Sequence, residues 1–204
     1  MRKIIGSFLL VTLCATVSFA QKGETKINIK YSVAAPLGSF RDAASNTSGR
    51  GFQAEILHGI NDKVSVGFAT GYQDFYDKKD RALYKLEDGS DISAVLSHSV
   101  QTVPLLASAR YNFRPGQSIQ PYAGLGVGGN LISYQQLYGQ FGETQTKFGF
   151  AARPELGLYI PFSKTGQSGL VLGSSYSIMP YKNDEVNNLN HISFNLGLSL
   201  PLRR

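Results

Sequence analysis

His191 and Ser193 are the first residues whose types and spacing suggest covalent chemistry: a serine nucleophile needs a base within reach, and histidine is the usual one. Two residues apart, they share one face of an extended segment. The segment continues with Phe194, and no Asp or Glu follows Ser193 to orient the imidazole. The pair therefore reads as structural, and the chain is expected to have no catalytic role. Gly124, Gly126 and Gly129 match the dinucleotide fingerprint by letter. That motif works only at a strand-to-helix turn, where a helix N-terminus meets the pyrophosphate. Here the glycines continue an alternating strand pattern, so close packing is expected and no cofactor. His58 and His98 are isolated, without metal-ligand spacing. Asp88-Gly89-Ser90-Asp91 lacks the further acids of a calcium loop and reads as a turn. Asp77-Lys78-Lys79-Asp80-Arg81 reads as a solvated loop, and Asn46-Thr47-Ser48 matches a glycosylation pattern without implying modification.

Five charges stand out differently. Lys30, Glu55, Arg110, Arg153 and Glu155 each interrupt the small, polar face of an alternating segment. Were that face enclosed, the five would have to pair, because an unpaired buried charge costs several kcal/mol.

The elements carrying these residues are strands. Eight segments alternate with period two. They run through Ile27–Val33, Phe52–Ile56, Val64–Gln73, Thr102–Phe113, Tyr122–Leu131, Phe148–Ile160, Leu170–Ile178 and Ile192–Leu200. Each can cross a hydrocarbon layer when tilted, which takes about 9–11 residues. Pro104, Pro121 and Pro154 remove ladder donors and are predicted at bulges or strand ends. Connections after the even segments are short: Asn61-Asp62-Lys63, Arg114 to Ser118, and Pro161 to about Ser168. Those after the odd segments are longer and polar: Leu37–Gly49, Asp77–Ser97, Gln135–Thr146 and Pro180–Leu189.

The 204-residue chain opens with Met1-Arg2-Lys3, an apolar run from Ile4 to Val17, and Ser18-Phe19-Ala20 before Gln21. A basic head, an apolar middle and a small-x-small site describe a cleaved signal peptide over 1–20, with one domain over 21–204. The only cysteine, Cys14, lies in that leader. Leu13 before it argues against lipid attachment, and the remainder needs neither disulfides nor thiolate metal sites. The net charge of +6 is scattered, which argues against a nucleic-acid surface.

The polar face decides which side is enclosed. A soluble, lipocalin-like barrel would expose a face rich in Lys, Glu and Thr. Here that face is mostly Gly and Ser with isolated charges, which suits the crowded interior of an eight-stranded barrel. The apolar face then meets lipid. Tyr111, Phe113 and Phe162 fall near the short-turn rim. Tyr72, Phe75, Tyr76, Tyr134 and Tyr176 fall near the long-loop rim, and together the two groups suggest interfacial girdles. The fold expected is all-β: an eight-stranded antiparallel up-and-down transmembrane β-barrel with short turns and both termini on the periplasmic side.

The segments TVPLLASARYNF, PYAGLGVGGNL and SFNLGLSL resemble the outer-membrane β-barrel superfamily of OmpA-, OmpX- and PorT-like proteins, over essentially the whole mature chain. The resemblance implies a Gram-negative outer-membrane location and insertion by the barrel assembly machinery. Members commonly end on an aromatic residue, whereas this chain ends Leu200-Pro201-Leu202-Arg203-Arg204. The VSFAQ junction resembles exported Bacteroidetes proteins. Outer-membrane lipid A deacylases carry a similar His-x-Ser pair followed by Asn, where this chain has Phe194.

The function expected is a structural or interaction protein of the outer membrane, its external loops meeting an external partner or ligand. Outer-membrane lipid and the assembly machinery are the other partners expected. Small-solute transport, a soluble binding barrel and lipid A modification are the alternatives.

Overall fold

The structure, a computed structural model, describes residues 23–85, 91–138, 141–163, 168–181 and 188–202; the expected leader lies outside them. Eight antiparallel strands close on themselves in sequence order. They are β1 (Thr25–Pro36), β2 (Ser48–Gly59), β3 (Val64–Lys85), β4 (Asp91–Asn112), β5 (Gln120–Tyr138), β6 (Phe141–Pro161), β7 (Gly169–Ser177) and β8 (His191–Pro201). A single helical turn, α1 (Phe40–Ala43), sits in the first connection. Closure runs through β1 and β8, from Lys26 opposite Pro201 to Pro36 opposite His191. A closed sheet leaves no edge in the hydrocarbon region, the condition for crossing a bilayer with strands.

The period-two pattern resolves as expected. Ile29, Phe68, Leu105, Phe148, Leu156, Phe194 and Leu196 are all exposed on the outer surface, Phe68 to 75%. Asn28, Lys30, Glu55, Thr102, Arg110, Asn130 and Glu155 are buried inside. A soluble barrel would have the opposite polarity, so the lipocalin-like alternative fails here.

The short connections are true turns. Asn61 Oδ1 accepts the backbone N–H groups of Lys63 (2.9 Å) and Val64 (2.8 Å), which closes the β2–β3 hairpin. Gly116 turns the β4–β5 hairpin at φ +79°, a conformation that L side chains rarely adopt.

Two expectations about the longer connections are corrected. Asp77–Ser97 and Gln135–Thr146 are not loops over most of their length. β3 and β4 continue pairing to Lys85 opposite Asp91, and β5 and β6 to Tyr138 opposite Phe141. Polar composition hid these strands, because outside the hydrocarbon layer nothing requires an apolar face. The first connection is not wholly external either: α1 buries Phe40 completely within the barrel.

The barrel is therefore lopsided. The β2–β3 ladder reaches only Gly51 opposite Gln73, and the β6–β7 ladder begins at Glu155 opposite Ser175. Beyond those levels β3, β4, β5 and β6 rise together as a four-stranded sheet on one side of the loop rim.

The prolines divide. Pro121 stands at the start of β5, as predicted. Pro154 lies just past the end of the β6–β7 ladder, and the β3–β4 ladder lacks the pair opposite Pro104 without changing register. The actual bulges fall elsewhere, at Ser32–Ala34 of β1 and between Lys79 and Ala82 of β3.

Candidate functional site

Above an open vestibule three layers fill the lumen, and alternation positions each one. The vestibule, nearest the short-turn rim, has a volume of about 1440 Å³ and is lined among others by Lys26, Asn28, Arg110, Arg114 and Tyr159.

Above it lies an ion-pair layer built from five strands. Lys30 of β1 reaches across to Glu155 of β6, with Nζ 2.7 and 2.8 Å from the two carboxylate oxygens. Tyr122 of β5 donates its hydroxyl to Glu155 Oε1 at 2.6 Å. Arg110 of β4 donates to Glu55 of β2 at 2.6 Å; Ser108 (2.6 Å) and Asn28 (3.1 Å) donate to the same carboxylate. The Arg110 guanidinium lies 4.0 Å over the Tyr122 ring, which links the two pairs. Room for that ring comes from Gly157, where a Cβ would stand 2.5 Å from the Tyr122 hydroxyl.

The structure thus joins four of the five charges singled out in the sequence. Arg153 shares the inner face at 6% exposure, but makes no ion pair or hydrogen bond among the described residues.

Next comes an amide layer. Gln53 donates to Asn195 (3.0 Å), and Asn195 donates to Ser175 (3.1 Å). The loop-side third is an apolar plug of Ala34, Phe40, Phe75, Ile132, Tyr134, Ala151, Met179, Tyr181 and Leu189, with others. Phe40 of α1 meets Phe75 edge to face, ring centroids 4.8 Å apart.

This plug corrects the girdle assignment: Phe75 and Tyr134 point inward and are buried, whereas Tyr76 and Tyr176 do lie outside. Inner parity could have found Phe75, Ile132, Tyr134 and Tyr122. Nothing in a polar loop sequence marks Phe40 as a plug.

His191 and Ser193 are both inside, as their parity required. The His191 Nδ1 is 3.0 Å from the Leu189 carbonyl oxygen and the ring centroid is 5.1 Å from that of Phe75; no carboxylate pairs with His191 among the described residues. Gly124, Gly126 and Gly129 continue β5 as strand residues opposite Glu155, Arg153 and Phe150. Among the described residues no group of three His, Cys, Asp or Glu side chains could hold a metal. Asp77, read as loop, instead ties the first connection to β3, accepting hydrogen bonds from Ser45 Oγ (3.2 Å) and Asn46 Nδ2 (3.0 Å). Residues 86–90 lie outside the described residues, and with them most of the Asp88–Asp91 turn.

Removing the Tyr122 hydroxyl tests the layer gently. Tyr122→Phe keeps the ring over Arg110 and forfeits one hydrogen bond to a carboxylate. A loss of about 1.5–3 kcal/mol is expected in denaturant unfolding of the vesicle-folded protein.

Solved structures with the same architecture include three outer-membrane proteins. Neisserial surface protein A is 18% identical, over 88% of this chain and 97% of that one, with a TM-score of 0.51. OprG of Pseudomonas aeruginosa is 14% identical, over 89% and 97%, also at 0.51. A major outer membrane protein of Thermus thermophilus is 12% identical, over 87% and 99%, again at 0.51. At these identities the likeness is one of fold. No curated protein matches the sequence. The family model described as outer membrane protein beta-barrel domain matches residues 6–200. Its span covers all eight strands and nearly the whole chain, so the protein belongs to the outer membrane protein beta-barrel domain family and resides in the outer membrane.

Proposed function

We propose that the chain is a non-catalytic, closed barrel that acts at its external rim by contact with a partner or ligand outside the cell. One observation carries this reading: the β3–β6 sheet continues past the level where β2 and β7 stop pairing with it, so the most extended surface projects beyond the membrane. The filled lumen supports it, since ion pairs and a plug occupy the path a solute would take. OprG and the other similar barrels bear on the fold alone.

A photo-crosslinking residue at Lys78, exposed at the base of the sheet, tests the reading in living cells. Adducts with an external molecule are expected there, and none from Phe68, which faces lipid. Adducts should vanish when residues 79–96 are replaced by a two-residue turn that leaves the barrel intact. Adducts at neither position, together with a lipid A change lost in His191→Ala or Ser193→Ala, would favour the enzymatic alternative.

A further inference from the structure

Among the described residues the buried charges of the lumen do not balance. Lys30, Arg110 and Arg153 are cations, and Glu55 and Glu155 are the carboxylates. Each carboxylate accepts three hydrogen bonds from other groups: Glu155 from Lys30 and Tyr122, Glu55 from Arg110, Ser108 and Asn28. Arg153 is left over, only 6% exposed and without an ion pair or hydrogen bond among the described residues. A buried guanidinium presents five donors and no acceptor, so what it lacks is an anion.

Its surroundings supply more donors. Continuing the β6–β7 register through the Ala152–Ile178 bridge places Ser177 beside Arg153; Ser177 pairs with His191 of β8, and Ser175 pairs with Ser193. Ser177 and Ser193 are buried residues, and their hydroxyls make no hydrogen bond among the described residues. On the β5 side Arg153 stands opposite Gly126, whose inner face is covered by the buried Leu106 side chain, 2.9 Å from where a Cβ would stand. One inward position further toward the loops lie Ala151 and Met179 of the apolar plug.

We propose that Arg153, Ser177 and Ser193 bind one small monovalent anion, halide-sized, in the lumen between the ion-pair layer and the plug. One negative charge matches the surplus. The Arg153 charge selects against a cation, and a divalent anion would reverse the imbalance.

Bromide is the probe. The full barrel, folded in detergent, is unfolded by heat in bromide and in bulky gluconate at constant ionic strength. Once the site is saturated, the midpoint should rise by roughly 3–5 °C per tenfold increase in bromide. Arg153→Met should abolish the dependence. The double variant Ser177→Ala/Ser193→Ala, which keeps the charge, should require about tenfold more bromide for the same midpoint, as expected for the loss of about 1.4 kcal/mol of donor contacts. A bromide-independent midpoint in the parent overturns the proposal, as does equal dependence in Arg153→Met. If Arg153→Met does not fold, the serine variant decides, and an unchanged bromide response in it is the overturning result.

Discussion

Glu155→Gln should destabilise the barrel by about 3–5 kcal/mol, the usual consequence of removing one member of a buried ion pair. Lys30, fully buried, would keep its charge and lose the carboxylate that both of its contacts reach. Tyr122 would lose a charged acceptor, and with it the restraint that holds its ring under Arg110. Equilibrium unfolding in denaturant from lipid vesicles reads the effect. The double variant Lys30→Met/Glu155→Leu separates two causes. If the cost is the stranded ammonium, the double variant recovers most of the loss, because an apolar pair of similar volume needs no compensation. If the double variant is as unstable as the single one, the lumen depends on the geometry of the carboxylate itself. A Glu155→Gln protein that unfolds like the parent would show that the layer does not hold the barrel together.

The second large effect is on the other side of the wall. Leu105 and Leu196 face outward at 52% and 51% exposure, within the spanning part of β4 and β8. Leu105→Arg or Leu196→Arg should cost about 2–4 kcal/mol near the midplane, because a guanidinium there must shed water or drag it into hydrocarbon. Ile60→Arg is the control: it stands in the β2–β3 turn at the rim, where the same change costs about 0–1 kcal/mol. Equal effects at Leu105 and Ile60 would contradict the assignment of the outer face.

Why the sequence revealed so much here, and where it stopped, follows from what each region has to satisfy. Within the hydrocarbon layer every outward position must be apolar and every inward one must fit a narrow lumen. Parity alone therefore located Lys30, Glu55, Arg110, Arg153 and Glu155 on one enclosed face. Which of them pair was not legible, because Lys30 and Glu155 meet across the lumen and not along a ladder, 125 residues apart in the chain. Beyond the layer the constraint lapses. The segments Asp77–Ser97 and Gln135–Thr146 read as polar loops from their composition, although their backbones pair as strands over most of their length. Phe75 and Tyr134 sit at the rim in sequence, where an aromatic ring suits either the membrane interface or a plug. Only the packing of α1 through Phe40 decides for the plug.

The ion-pair layer and the apolar plug also differ in what they contribute. The ion-pair layer ties β1, β2, β4, β5 and β6 together by directed contacts, so it fixes their relative positions. The apolar plug is non-directional and is completed by a connection, α1, that Asp77 fastens to β3 from outside. Below them, on the short-turn side, the vestibule stays open. This arrangement favours action at the external sheet over passage through the barrel.

The most direct test of that account is single-channel recording of the purified, refolded protein in planar bilayers, with insertion verified by the mobility shift between unheated and boiled samples. A folded barrel that inserts and gives no discrete conductance steps is the result expected from a lumen closed by Lys30–Glu155, Arg110–Glu55 and the Phe40 plug. Reproducible steps of uniform size from the heat-modifiable protein would contradict the account and make the barrel a channel.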